Sequence, residues 1–168
     1  RRAIPVSTIA EVRAAGEGQY FVIEGVLTTN ASGHSQATAF FDSVYCEDAT
    51  GGINIFPIAG NYEIGQTVWI SGVTSSYQGE YQLKDATLYV AANDVQPLAP
   101  QSMSTLNAMN EASYGKLVIV EGVITRVVWQ GDLLEYLYVD DGSGEARVFL
   151  DGYITSDSTY DHSWIETG

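Results

Sequence analysis

Val22-Ile23-Glu24-Gly25-Val26-Leu27-Thr28 is answered 97 positions later by Ile119-Val120-Glu121-Gly122-Val123-Ile124-Thr125. The rest of the chain falls into register around that pair. Upstream, Gly18 returns as Gly115, and Ser7-Thr8-Ile9 as Ser104-Thr105-Leu106, at the same spacing. Downstream, Val44-Tyr45-Cys46-Glu47-Asp48-Ala49-Thr50-Gly51 returns as Leu137-Tyr138-Val139-Asp140-Asp141-Gly142-Ser143-Gly144, now 93 positions on. Phe56 and Phe149 close the match, and the change of spacing falls in the loop between the two stretches, which is shorter in the second copy. Agreement in order, spacing and residue class marks an internal duplication.

Each copy opens with helical signals and continues as strands. Thr8 and Glu11 have capping-box spacing, with Ile9 and Val12 on one helical face. The second copy offers Leu106 and Met109, but Ala108 stands where the box wants an acid. Runs rich in β-branched and apolar residues follow at 20–29, 39–47 and 53–56, then 67–75 and 80–90 around Tyr77-Gln78-Gly79. Gly25 marks a bend in the first strand, and Asp48-Ala49-Thr50-Gly51-Gly52 a turn that Asx chemistry and glycine favour. Residues 91–103 hold Pro97 and Pro100 and read as linker.

The expected architecture is all-β: two tandem five-stranded OB-like barrels, each with a short N-terminal helix. Residues 1–95 form the first, 96–103 the linker and 104–168 the second. Ile165-Glu166-Thr167-Gly168 matches the entry to a fourth strand, so the second barrel is expected to lack its last two strands. A longer chain of which these residues are a piece would supply them, or another copy, or neither, the broken barrel then packing on the first copy. Glu24-Gly25-Val26, the turn Glu47-Asp48-Ala49-Thr50-Gly51-Gly52-Ile53, and Ile64-Gly65-Gln66-Thr67-Val68-Trp69-Ile70-Ser71-Gly72 resemble OB-fold modules of secreted bacterial nucleases and cell-surface proteins. The resemblance covers most of residues 7–95 and, more weakly, 104–168. It implies a fold and an exported setting; it implies no catalytic residues in the module itself.

The chain has 168 residues, with 7 Lys+Arg against 21 Asp+Glu and a net charge of −14. Phosphate neutralisation drives duplex binding, so this balance argues against duplex nucleic acid and against an anionic membrane surface. No apolar run approaches the length of a membrane span. Few lysines, many Thr, Ser, Gly, Asn and Tyr, and a pI near 4.1 point to an extracellular or cell-surface location. A lone cysteine, Cys46, cannot form an internal disulfide, and it aligns with Val139 as a barrel-interior position.

Few residues invite chemistry. Asp140, Asp141 and Glu145 around Gly142-Ser143-Gly144 are the calcium candidates, although calcium takes about six to eight oxygens and the alternation of an EF-hand loop is missing. No other cofactor is expected. His34 and His162 lie in polar stretches without a nucleophile-elbow pattern, so no catalytic residue is assigned. Tyr77, Tyr81 and Trp129 are candidates for stacking on a glycan or a single strand. Lys84, Arg126 and Arg147 read as too scattered for a basic groove. Asn30-Ala31-Ser32 is a glycosylation sequon. Ala3, Ile4, Pro5 and Val6 form a candidate donor strand for completing a neighbour's barrel. The expected function is a non-enzymatic structural or interaction protein, a filament or surface-assembly subunit joined by strand complementation. Its partners would be other copies of itself or other surface proteins. The alternative is a ligand-binding accessory module of a secreted nuclease or glycan-active enzyme.

Overall fold

The computed structural model describes residues 5–150, 161 and 163–168. They divide into two units: one holds the described residues through Pro100 together with Ala112–Leu117, the other Gln101–Glu111 and Val118–Gly168.

The first unit begins with β1 (Val6–Ser7) and α1 (Ile9–Ala14). Five strands follow: β2 (Tyr20–Leu27), β3 (Val44–Asp48), β4 (Gly51–Ile55), β5 (Gln66–Tyr77) and β6 (Glu80–Val95). They are hydrogen-bonded in the order β2-β3-β4-β6-β5, and β5 returns to pair with β2, which closes the sheet. All contacts are antiparallel except β4 with β6. This closed five-stranded Greek-key barrel is OB-like. Closure gives each of β2–β6 a partner on both sides, the β4–β6 contact being two residue pairs long, which reduces the usual hazard of edge pairing.

Alternation along the strands sets the core. Ile23, Leu27, Val44, Cys46, Ile53, Ile55, Val68, Ile70 and Leu83 are all fully buried. Each large aliphatic among them contributes roughly 1.5–3 kcal/mol by leaving water. Ile9 and Val12 of α1 join that cluster, placed there by the helix cap. Thr8 and Glu11 form the full reciprocal capping box that their spacing implies. The Asp48 carboxylate then ties the helix to the β3–β4 turn: it accepts from Ile9 N–H at 2.8 Å and from Thr50 N–H at 2.7 Å, while Thr50 Oγ1 accepts from Ala10 N–H at 3.0 Å. Gly25 is required because a Cβ there would stand 2.6 Å from both Cys46 Sγ and the Glu47 carbonyl.

Ala112–Leu117 straps the same barrel. Its Gly115, at φ +78°, lies so close to Gly52 that a Cβ on Gly52 would come within 2.0 Å of the Gly115 carbonyl. Arg13 bridges the two segments, its guanidinium donating to the Gly52 carbonyl at 2.9 Å and the Tyr114 carbonyl at 2.6 Å. Leu117 N–H donates to the Glu47 carboxylate. Burial raises the Glu47 pKa, opposed by that hydrogen bond and by Lys116.

The second unit holds β7 (Gln101–Ser102), α2 (Thr105–Ala108), β8 (Val118–Ile119), β9 (Val123–Gln130), β10 (Leu133–Asp140) and β11 (Ala146–Phe149). The linker expected over 96–103 is shorter, since Gln101 and Ser102 pair in parallel with Val118 and Ile119. Strands β9, β10 and β11 form an antiparallel meander whose register repeats that of β2, β3 and β4. Val26 opposite Glu47 becomes Val123 opposite Asp140, and Cys46 opposite Ile53 becomes Val139 opposite Ala146. Gly122 repeats the role of Gly25, with a Cβ there 2.6 Å from the Asp140 carbonyl.

One part of the sequence alignment needs correction. The cap of α2 is Ser104, with Asn107 N–H donating to its hydroxyl, so Ser104 matches Thr8 and buried Thr105 matches Ile9. The helix therefore repeats one position earlier than Ser104-Thr105-Leu106 suggested. Leu106 and Met109 accordingly face out rather than in. Either hydroxyl of Ser104-Thr105 can cap a helix, so composition alone does not choose between them.

Candidate functional site

The duplication makes the first unit a template for judging the second. In the first, the edge of β2 away from β3 is covered by β5 from Tyr20↔Val73 to Val26↔Thr67, and the outer edge of β4 by β6 at Asn54↔Gln82 and Ile55↔Leu83. In the second, the corresponding edge of β9 carries, among the described residues, only the bridge between Ile124 and Thr167. No described strand lies along the outer edge of β11 at Arg147–Val148.

The residues behind those edges are barrel-interior types. Leu27, Cys46 and Ile55 are fully buried, whereas their counterparts Ile124, Val139 and Val148 are only half-buried. Leu137 and Ala146, further from the open edges, are buried. Apolar side chains at positions that match the first barrel's interior thus line a three-stranded meander whose outer edges have no partner strand among the described residues.

The outer face of the same meander gathers side chains that look scattered in the sequence. Tyr138 pairs with Arg126 on one side and Arg147 on the other, making the cross-strand row Arg126-Tyr138-Arg147. The Arg126 guanidinium lies 3.7 Å from the Tyr138 ring centre and donates to Glu145 at 2.8 Å, contacts that raise its pKa. Arg147 lies 5.5 Å from the Tyr136 ring centre, and Tyr136 meets Tyr138 edge-on at 6.0 Å.

The three calcium candidates are drawn to separate partners. Asp141 accepts from Ser143 N–H at 2.9 Å, from the Ser143 hydroxyl and from Thr105 Oγ1 at 2.8 Å, which holds its carboxyl far below the usual range. It does for α2 what Asp48 does for α1. Asp140 accepts from Gly142 N–H at 2.7 Å and Gly144 N–H at 3.1 Å. Glu145 is held by Arg126 and Thr125, which lower its pKa. Among the described residues no group of three acidic, His or Cys side chains is arranged to hold a metal ion.

The stacking candidates sit apart in role. Tyr77 is 65% exposed at the tip of the β5–β6 hairpin. Tyr81 packs against the core and its hydroxyl donates to the Ala15 carbonyl, which makes it a structural residue of the barrel. Trp129 is 48% exposed on β9, where the shortened loop has become a tight turn at Gly131-Asp132. Asn30 is half-buried; its Nδ2, the atom a glycan would occupy, donates to Thr38 Oγ1 at 2.8 Å, and its Oδ1 accepts from Ile64 N–H at 2.8 Å. Of the donor-strand candidate, Ala3 and Ile4 lie outside the described residues, while Val6, next to Pro5, pairs with Val22 of its own barrel. His34 Nδ1 lies 3.0 Å from Asn61 Oδ1, and its Nε2 lies 3.7 Å from Glu63; His162 lies outside the described residues. Cys46 is buried in the barrel, and burial pushes its thiol up, away from nucleophilic use.

Sequence reading also missed a row on the first barrel. Glu24, Trp69 and Tyr89 stand side by side across β2, β5 and β6, with Trp69 48% and Tyr89 63% exposed. The Trp69 indole N–H donates to the Glu24 carboxylate.

No protein-family model matches the chain, and no curated protein matches it. Two solved structures resemble it at 15% identity and a TM-score of 0.40. They are the hypothetical protein ygiW from E. coli, where the match covers 51% of this chain and 90% of that one, and a HINb domain, where it covers 51% and 47%.

Proposed function

We propose that the chain is a non-enzymatic, exported structural or interaction protein whose second unit is the first half of another OB-like barrel. Strands from a neighbouring copy, or from another surface protein, complete that barrel and so build a filament or surface assembly. The observation that carries this reading is the incomplete burial of Ile124, Val139 and Val148, apolar side chains at positions whose counterparts in the first barrel are fully buried. A strand laid along β9 and another along β11 would bury them and supply the backbone partners that β5 and β6 supply to the first barrel. The accepting seam and the donating strand are different surfaces, and in this reading copies join head-to-tail.

Negative-stain microscopy with native mass spectrometry tests this. Regular polymers of a single subunit support completion by copies of the chain, and a monodisperse monomer at all concentrations rejects it and leaves another surface protein as the donor. A second reading, a ligand-binding accessory module, rests on the exposed Tyr77 and Trp129 rings. Loss of glycan or single-strand binding in Tyr77→Ala or Trp129→Ala would favour it.

A further inference from the structure

We propose that the Arg147 guanidinium of one copy docks on the Glu24-Trp69-Tyr89 row of the next, giving the assembly a second, electrostatically selected contact. This inference rests on the head-to-tail reading above.

Arg147 and the Glu24-Trp69-Tyr89 row are complementary in charge. Arg147 is an exposed cation in a chain with only 7 Lys+Arg, and among the described residues no carboxylate stands within ion-pair distance of it. Its neighbour Arg126 is already paired with Glu145 over the Tyr138 ring, whereas Arg147 has the Tyr136 ring at 5.5 Å and no carboxylate among the described residues, so of the two arginines it is the one left to offer its charge. Glu24 is its mirror: an exposed carboxylate that accepts from the Trp69 indole and has no cation partner among the described residues. Trp69 and Tyr89 lie beside it in cross-strand register, both well exposed. A guanidinium seated there gains an aromatic face and a carboxylate together, the combination already realised within the chain by Arg126 on Tyr138 and Glu145.

The occupant follows from charge. An acidic chain repels its own copies at large, so a productive encounter needs a local cation meeting a local anion. Arg147 and Glu24 sit on different units and carry opposite sign, so each copy offers both halves of the contact and the pairing can be repeated from copy to copy.

Charge reversal tests the pairing on the intact chain, with polymer mass read by sedimentation and electron microscopy. Arg147→Glu and Glu24→Arg should each raise the concentration needed for assembly by roughly tenfold, and the double variant should restore it. Both positions are exposed, and recovery in the double variant also shows that the single variants fold. If the wild type polymerises and neither single variant changes the threshold, or if both do without rescue, the pairing is overturned while strand complementation stands. If the wild type forms no polymer, the pairing and the self-assembly on which it rests both fall.

Discussion

Replacing Gly25 by alanine tests the crossing on which the first barrel closes. The added Cβ would stand 2.6 Å from Cys46 Sγ, 2.6 Å from Glu47 O and 3.1 Å from Glu47 C. Close carbon–oxygen contacts in sheets run at about 3.3 Å or more, so the overlap with the carbonyl alone is roughly 0.7 Å. Neither neighbour can yield cheaply. The Cys46 thiol is fully buried, and the Glu47 backbone is held between Val26 and Gly52. Relief requires β2 and β3 to separate. Overpacking typically costs about 1–3 kcal/mol, and a backbone obstacle places this case near 3. At a urea slope of about 2 kcal/mol/M the midpoint should fall by roughly 1.5 M. Equilibrium unfolding followed by circular dichroism measures that shift, and hydrogen exchange should localise the loosening to residues 20–27 and 44–48. An alanine variant with the wild-type midpoint would refute the packing argument.

Other expectations follow from the same geometry. Gly122→Ala meets the Asp140 carbonyl at 2.6 Å and should loosen β9 from β10, read as faster exchange there with the first barrel unchanged. Thr8→Ala removes the cap of α1 and should cost about 1 kcal/mol in urea unfolding. Burial raises the Glu47 pKa, so its folded form binds a proton more readily than the unfolded chain and its ionisation costs stability as pH rises; Glu47→Gln should stabilise the strapped barrel at pH 7, and the gain should vanish in acid where the wild type is protonated. Asp141 has the opposite sign. Its pKa is held low by Ser143 and Thr105, so its contribution is complete above the ordinary carboxylate range and fades only as pH falls through the depressed value. Asp141→Asn should therefore loosen α2 at pH 7, seen as faster exchange at Thr105 and Leu106, and should differ little from wild type in strong acid.

The strand order and the duplication were legible because they rest on local signals: alternation, turn chemistry at Asp48 and Asp141, and glycines at Gly25 and Gly122 where backbones cross. The α2 register slipped by one because Ser104 and Thr105 are both competent caps, and only the anchor from Asp141 to the Thr105 N–H decides between them. Strand pairing hid the rest. Arg126 and Arg147 are far apart in sequence, yet each stands directly across from Tyr138. Glu24, Trp69 and Tyr89 come together only when β5 bridges β2 and β6. The strap from Ala112 to Leu117 depends on the close approach of Gly52 and Gly115, a contact without local pattern. Asp140, Asp141 and Glu145, neighbours in sequence, have oxygens engaged by three different anchors, which only the folded turn displays.

Hydrogen exchange during assembly reports whether added strands complete the second unit. With the chain incubated above and below its assembly concentration, the edge amides of residues 123–128 and 146–148 should pass from rapid exchange to strong protection as polymers form, while β2–β6 stay protected throughout. Polymers that form with those edges still exchanging freely would contradict completion of the second barrel by added strands.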